Sequence, residues 1–118
     1  MSTIDLTSNN LENTIAENHI LLIDFWASWC GPCRTFAPIF ESSAAQHPDI
    51  AHAKCNTEEE HTIAAQFSIR SIPTVAVFKE GVLVYSQPGA LQAGQLKDLI
   101  EQVESLDMDE VRAKLAEK

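Results

Sequence analysis

The sequence contains few cysteines and no long apolar run. Only 3 of its 118 residues are cysteine, too few for the several disulfides that hold small secreted domains together. The strongest apolar stretch, Ile20 to Trp26, is interrupted by Asp24 and is far shorter than the roughly 20 residues that a membrane-spanning helix needs. We therefore expect a soluble cytoplasmic protein, long enough to bury a hydrophobic core without disulfide bridges.

Basic residues and phosphate-binding motifs are also scarce. The chain has 8 Lys and Arg against 17 Asp and Glu, and its formal net charge is -9. Because such a surface repels a phosphate backbone, we expect no nucleic-acid partner. The glycine-rich G-x-G-x-x-G loop is absent, so we expect no bound nicotinamide cofactor. The first residues lack a basic region followed by an apolar run, so we also expect no secretory signal and no membrane association.

Short apolar runs alternate with segments of helical spacing. The runs predict strands at about 3–6, 20–26, 50–55, 75–79 and 82–86, of which the last two form a hairpin. Helices are predicted from about Ser8, from Gly31, from Thr57, which has capping-box spacing to Glu60, and around Leu96 to Val103. This alternation predicts an α/β fold in which helices cover both faces of a sheet.

A weaker helical pattern follows the last strong one. Asp107 and Glu110 have capping-box spacing. A short apolar stripe accompanies them, formed by Met108, Val111 and Leu115. We therefore divide the chain into a main domain at 1–104 and an extension of the same domain at 105–118, a short C-terminal helix. The pattern leaves open whether that helix packs on the domain or docks a partner.

Two cysteines of the motif Trp-Cys-Gly-Pro-Cys, at positions 29–33, stand where a helix begins. Residues i and i+3 share one face of a helix, so the sulfur atoms of Cys30 and Cys33 can form a small, readily reversed disulfide. A helix N-terminus stabilises the Cys30 thiolate through its unpaired N–H groups and its dipole. Pro32 suits a first helical turn, and Gly31 leaves the sulfur open to an approaching substrate.

Cysteine pairs of this spacing also occur as inert structural pairs and in metal sites. The third cysteine, Cys55, lies in a predicted core strand, where we expect it to be inert. A zinc site would need all three cysteines and a histidine, but no second pair of ligands is clustered in the sequence. We therefore expect no metal site. We also expect the four histidines to be surface residues: His19, His47, His52 and His61.

Three segments resemble the thioredoxin family in sequence and in order. They are IDFWASWCGPCRTFAP at 23–38, IRSIPTVAVFKEG at 69–81 and PGALQAGQL at 88–96. The resemblance, which extends over about residues 2–104, implies the thioredoxin fold, a central mixed β-sheet flanked by helices on both faces. It also implies protein disulfide reductase activity, with a redox-active disulfide in place of a cofactor.

The resemblance further implies a cellular role. A protein of this family takes part in electron transport and cell redox homeostasis, donating electrons to disulfide-containing protein substrates. It is recharged by thioredoxin reductase, an NADPH-dependent flavoprotein. Nothing in the sequence requires more than a monomer.

The resemblance implies roles for the motif residues as well. Cys30 would attack a substrate disulfide, and Cys33 would resolve the mixed disulfide so that reduced substrate leaves. Gly31 and Pro32 would tune the redox properties of the pair. The same comparison favours a reductant, because oxidising relatives have a histidine between their cysteines.

Asp24 is a charged residue in an otherwise apolar strand. Burial would raise its pKa, unless strand alternation points the side chain into solvent. The resemblance assigns Asp24 to proton transfer to and from Cys33, with Lys54 as its partner lysine. Taken by itself, a strand lysine is more often a solvated surface residue.

A shallow substrate groove is the last feature that the resemblance implies. Its residues would be Trp29, Ile72, Pro73 and Gly89. The sequence alone predicts a trans bond before Pro73, since only about 5–6% of X–Pro bonds in folded proteins are cis. The resemblance instead implies a cis bond, which leaves backbone groups of the preceding residue free to pair with an extended substrate.

A second function class remains open from the sequence. The chain could be a thioredoxin-like docking module or co-chaperone, in which the fold supplies a binding surface and thiol chemistry is incidental. A degenerate cysteine motif or a long helical repeat tail would indicate that class. Neither is present in this sequence.

Overall fold

The computed structural model of the chain describes residues 3–117. The strands are β1 (Thr3–Asp5), β2 (Ile20–Trp26), β3 (Ala51–Asn56), β4 (Thr74–Lys79) and β5 (Val82–Pro88), and the helices are α1 (Leu11–Glu17), α2 (Gly31–Gln46), α3 (His61–Gln66), α4 (Ala93–Glu104) and α5 (Met108–Ala116). The predicted alternation is confirmed, and every strand end lies within two residues of its predicted position. None of the helices described in residues 3–117 is long and apolar enough to cross a membrane.

The five strands described form a mixed sheet in the order β1-β3-β2-β4-β5. β3 pairs in parallel with β1 and β2, whereas β4 is antiparallel to β2 and β5. β2 is therefore central and hydrogen-bonded on both sides. Its sequence ILLIDFW suits this position because apolar residues occupy all but one place, which Asp24 takes.

Side chains alternate across β2 and build a hydrophobic core on each face of the sheet. On one face, Ile20 and Leu22 of β2 pack with Phe36 and Phe40 of α2 and with residues of α4. On the other face, its odd-numbered residues pack with Leu11 of α1 and Ile63 of α3. We call the first of these the α2 face. Because side chains alternate along the strand, Asp24 points to the same side as Leu22 and lies on the α2 face.

Helix α1 begins later than predicted, at Leu11 rather than near Ser8. The side chain of Asn10 accepts a hydrogen bond from the Thr7 N–H at 2.8 Å and donates one to the Asp5 carbonyl at 2.9 Å. These contacts close a turn between β1 and α1, so the helix starts only after that turn ends.

The capping box predicted at Thr57 and Glu60 is wrong. The Thr57 hydroxyl donates to the Trp26 carbonyl at 3.1 Å. The Glu60 carboxylate accepts from the N–H of Ser8 at 3.1 Å and from its hydroxyl at 3.3 Å. Both side chains therefore bind distant parts of the chain, and α3 begins only at His61.

The prediction that all four histidines lie at the surface is wrong for His52. This residue is fully buried, with Nδ1 2.9 Å from the Ile50 carbonyl and Nε2 2.9 Å from Ser43 Oγ on α2. Burial lowers the pKa of His52. The neutral ring donates from Nδ1 to the carbonyl and accepts from the Ser43 hydroxyl. Alternation along β3 places His52 inward, since it lies two residues after the buried Ile50.

The predicted C-terminal helix is present as α5. Its N-cap is Asp107, whose carboxylate accepts from the N–H of Asp109 at 3.0 Å and of Glu110 at 3.4 Å. Met108 is buried, and the Arg112 guanidinium donates to Glu80 in the β4–β5 turn. α5 therefore packs on the domain, at the end of the sheet where β2 begins. The division of the chain at residue 104 stays a prediction.

A buried lysine joins this end of the sheet to the α4–α5 junction. Lys79, the last residue of β4, donates from Nζ to the carbonyls of Val103 at 2.7 Å, Glu104 at 3.0 Å and Leu106 at 3.0 Å. The last carbonyls of a helix have no partner within it. The ammonium supplies those hydrogen bonds and also interacts favourably with the negative end of the α4 dipole.

Replacing Lys79 with Met, which keeps the chain length but removes the donors, is expected to lower the free energy of unfolding by about 2–3 kcal/mol. Urea unfolding at neutral pH measures this loss. The matched control is Lys97→Met on the exposed side of α4, with an expected change of less than about 0.5 kcal/mol. Equal stability of the two variants would mean that the three carbonyls do not depend on the ammonium.

Candidate active site

Cys30 and Cys33 are joined by a disulfide where α2 begins. Their Cα atoms are 5.2 Å apart, a common separation for a disulfide. Cys30 is the N-cap residue, and its Sγ accepts a hydrogen bond from the Cys33 N–H at 3.2 Å. Pro32 lies in the first turn, where its missing N–H costs no helical hydrogen bond. The positive end of the α2 dipole is thus directed at the Cys30 sulfur.

Cys30 faces the segment that precedes β4. Its Sγ lies 3.7 Å from the Ile72 carbonyl oxygen, and the Ile72–Pro73 peptide bond is cis. Gly89, which follows β5, donates its N–H to the Pro73 carbonyl at 2.8 Å. The side chain of Trp29, next to Cys30 in the chain, is 65% exposed. The four residues predicted to form a groove therefore meet beside the disulfide.

An open groove of about 480 Å³ lies beside Trp29 and Ile72. Ile69 adds apolar surface to its wall, and Glu58 and Arg70 add one charge of each sign. Sequence reasoning missed these last two residues because neither belongs to a local motif. A groove with an apolar wall and a few polar groups suits an extended segment of another chain.

Asp24 is fully buried in the middle of β2, which excludes the alternative that it faces solvent. Neither of its carboxylate oxygens has a hydrogen-bond partner among residues 3–117. Burial raises the pKa of Asp24 to about 7, because the charged form loses its hydration; the charge of Lys54 lowers the pKa and that of Glu41 raises it. This carboxyl group can therefore exchange a proton near neutral pH.

Lys54 is the register partner of Asp24 on the neighbouring strand β3. Its ammonium nevertheless contacts other groups: Nζ lies 3.4 Å from Glu41 Oε2 on α2 and 5.1 Å from the centroid of the Trp26 ring. Lys54 therefore acts on Asp24 through its electric field rather than through a hydrogen bond. Glu41 was missed at the level of sequence because no local pattern links it to Lys54.

The remaining cysteine lies away from the disulfide. Cys55 is fully buried on the face of the sheet opposite the α2 face. Burial raises the pKa of its thiol to about 12, and a protonated, inaccessible thiol is not a nucleophile. Within residues 3–117, no three His, Cys, Asp or Glu side chains are grouped so that they could hold a metal ion.

Comparison with known proteins gives a consistent result. The family model for thioredoxin matches residues 2–102 of the chain. A protein described as putative thioredoxin 2 from Streptomyces coelicolor is 47% identical over 117 residues, which cover 99% of this chain and 87% of that protein. A thioredoxin from Alicyclobacillus acidocaldarius is 40% identical over 105 residues, 85% of this chain and 100% of that one.

Solved structures agree with the sequence comparison. A mutant thioredoxin from Halobacterium salinarum superposes with a TM-score of 0.83 at 33% identity, covering 90% of this chain and 94% of that chain. The thioredoxin of Plasmodium falciparum gives a TM-score of 0.78 at 31% identity, with 84% and 97% covered. The fold that the resemblance implied, a mixed sheet with helices on both faces, is confirmed.

The burial of Asp24 predicts a stability that depends on pH. Its pKa is about 7 in the folded chain against an ordinary value of 3.8, so the folded state holds the extra proton between these values. Ionisation of Asp24 therefore lowers the free energy of unfolding progressively as the pH rises from about 4 through 7. Asp24→Asn is expected to be more stable than the wild type by about 3–4 kcal/mol at pH 8.5, with the difference vanishing near pH 4.

Denaturant unfolding of the oxidised protein at both pH values measures this difference. Asp98→Asn, an exposed position on α4, is the matched control, for which we expect no such pH dependence. A stabilisation by Asp24→Asn of equal size at both pH values would contradict the prediction, since it would not come from ionisation.

Proposed function

The chain belongs to the thioredoxin family and is a protein disulfide reductase, and we propose that Cys30 and Cys33 carry out the exchange. The Cys30 thiolate attacks one sulfur of a substrate disulfide, and the other substrate sulfur leaves as a thiolate. Cys33 then attacks Cys30 Sγ, so that the mixed disulfide breaks and the second substrate sulfur leaves. Two electrons pass to the substrate, and the protein is left with the Cys30–Cys33 disulfide.

The position of Cys30 at the N-cap of α2 is the observation that carries this proposal. The Cys33 N–H at 3.2 Å and the dipole of the 16-residue helix both favour a negative charge on Cys30 Sγ. Cys33 is buried one turn further along the helix and is joined to Cys30. Gly31 and Pro32 set the geometry of the turn between them and thereby tune the pair.

Asp24 is proposed to move the proton of Cys33. Cys33 must lose its proton to attack Cys30 and regain it when the protein is recharged. A carboxyl group with a pKa of about 7 can accept and return a proton at neutral pH. Asp24 lies on the α2 face, below the helix that carries Cys33, and a water molecule can relay the proton. Lys54 tunes this step through its charge.

Four residues beside the disulfide are proposed to bind an extended substrate segment: Trp29 and Ile72, which also line the groove, and Pro73 and Gly89. Trp29 offers exposed apolar surface, and Ile72, the residue before Pro73, places main-chain groups within reach of the substrate. Gly89 has a φ of +110°, which only glycine adopts readily. A side chain at that position would strain the backbone, although a Cβ atom there would meet no other atom within 4 Å.

We propose that a thioredoxin reductase recharges the protein with electrons from NADPH, because family membership implies this partner. The redox-active disulfide would then be the only redox group that the chain needs. In this role the protein acts as a monomer in the cytoplasm, in electron transport and cell redox homeostasis. The alternative of a docking module is not favoured, because both cysteines are present and joined beside an open groove.

The test is reduction of insulin disulfides by the purified protein with NADPH and a thioredoxin reductase, followed by the loss of NADPH absorbance. Cys30→Ser is expected to bring turnover down to the uncatalysed background, because the attacking thiolate is gone. Cys55→Ala is the matched control and is expected to retain wild-type turnover, since Cys55 is buried away from the site.

Two other results would change the conclusion. Turnover by the wild type with dithiothreitol but not with the reductase would mean that the chemistry is right and the electron donor wrong. If neither reductant supported turnover, and a variant with serine at positions 30 and 33 kept its cellular function, the docking module would be the better description.

A further inference from the structure

Two carboxylates and one ammonium share the α2 face near the disulfide. Asp24 and Lys54 are register partners in the parallel pair β2–β3, so their side chains leave the sheet on the same side. α2 crosses this face and carries Glu41. Neighbouring strands lie about 5 Å apart, a distance that a lysine side chain can span. Lys54 could therefore pair with either carboxylate.

The observed pairing is with Glu41 alone. Lys54 Nζ lies 3.4 Å from Glu41 Oε2, whereas neither oxygen of Asp24 has a partner among the residues described. The Glu41 side chain is 56% exposed and that of Lys54 is 14% exposed, so the pair lies at the outer edge of the α2 face. The ring of Trp26, 5.1 Å from Nζ at its centroid, adds a cation–π contact at the same outer position.

Few other charges act on Asp24 from the elements packed around it. Across the antiparallel pair, its partner on β4 is the apolar Val75, and the residues that α4 contributes to this core are apolar. Lys54 and Glu41 are the charged groups that influence the carboxyl group most. The location of one ammonium therefore decides whether Asp24 stays without a partner.

We propose that Glu41 is a positioning residue for the thiol–disulfide exchange: it anchors the Lys54 ammonium at the outer edge of the α2 face and so prevents an ion pair between Lys54 and Asp24. An ion pair would favour the charged carboxylate and weaken its ability to hold a proton at neutral pH. Glu41 thus preserves the group that the proposed function uses for proton transfer, and the inference rests on that function.

The experiment follows the titration of the Asp24 carboxyl carbon by NMR in the oxidised protein. Glu41→Gln is expected to lower the pKa of Asp24 by about half a pH unit or more, because Lys54 is released toward it and one negative charge is lost. Glu12→Gln, which removes an exposed carboxylate on α1 at the opposite face, is the matched control and is expected to leave that pKa unchanged.

A double-mutant cycle separates positioning from direct repulsion. Lys54→Met is expected to raise the pKa of Asp24. If Glu41 acts through Lys54, adding Glu41→Gln to Lys54→Met lowers the pKa by much less than it does in the wild type. Equal effects of Glu41→Gln in both backgrounds would overturn the proposal, as would an unchanged pKa of Asp24 in Glu41→Gln.

The pH dependence of insulin reduction distinguishes this inference from the function on which it rests. A lower pKa of Asp24 in Glu41→Gln together with a matching shift of the rate profile supports both. A lower pKa that leaves the rate profile unmoved supports the anchoring of Lys54 by Glu41, but it overturns the role of Asp24 in proton transfer and with it the role of Glu41 in the exchange.

Discussion

The buried carboxyl group of Asp24 in the central strand, which has no hydrogen-bond partner among residues 3–117, is the constraint on which the other features depend. A buried carboxylate without donors is costly. The Asp24 side chain cannot reach solvent, because β3 and β4 pair with β2 on both sides and α2 covers its face. The two cores that alternate along the same strand supply the apolar burial that offsets this cost. The fold thereby keeps a group near its ionisation point in a place that water does not surround.

The two ends of the sheet carry different kinds of polar contact. Where β2 ends, the N-terminus of α2 and the segment before β4 present main-chain groups around one sulfur atom. Where β2 begins, Lys79 satisfies carbonyls at the α4–α5 junction, and Arg112 pairs with Glu80. The main-chain groups around the disulfide therefore lie at the opposite end of the sheet from the polar contacts that hold the C-terminal helix in place.

Local signals predicted β2, the start of α2 and the N-cap of α5, because each depends on neighbours in the sequence. They failed where a side chain binds a distant partner, as Thr57 and Glu60 do. The same distinction between local and distant contacts applies to the residues of the candidate site. The cysteine pair could be predicted from the sequence itself because both residues lie on one helical turn. The groove residues could be predicted only through the family resemblance. The burial of His52 and the pairing of Lys54 with Glu41 depend on how α2 packs across β3. No local sequence pattern predicts that packing.

Both tryptophans of the chain stand within four residues of Cys30 in the sequence. Trp29 stands beside Cys30 and largely in solvent, and Trp26 lies under the Lys54 ammonium, two residues from Asp24. The packed cores on either face of the sheet contain no indole. The tryptophan fluorescence of the folded protein therefore originates outside the two packed cores, near the N-terminus of α2. We therefore expect its intensity to respond to reduction of the neighbouring disulfide more than to changes in the two packed cores.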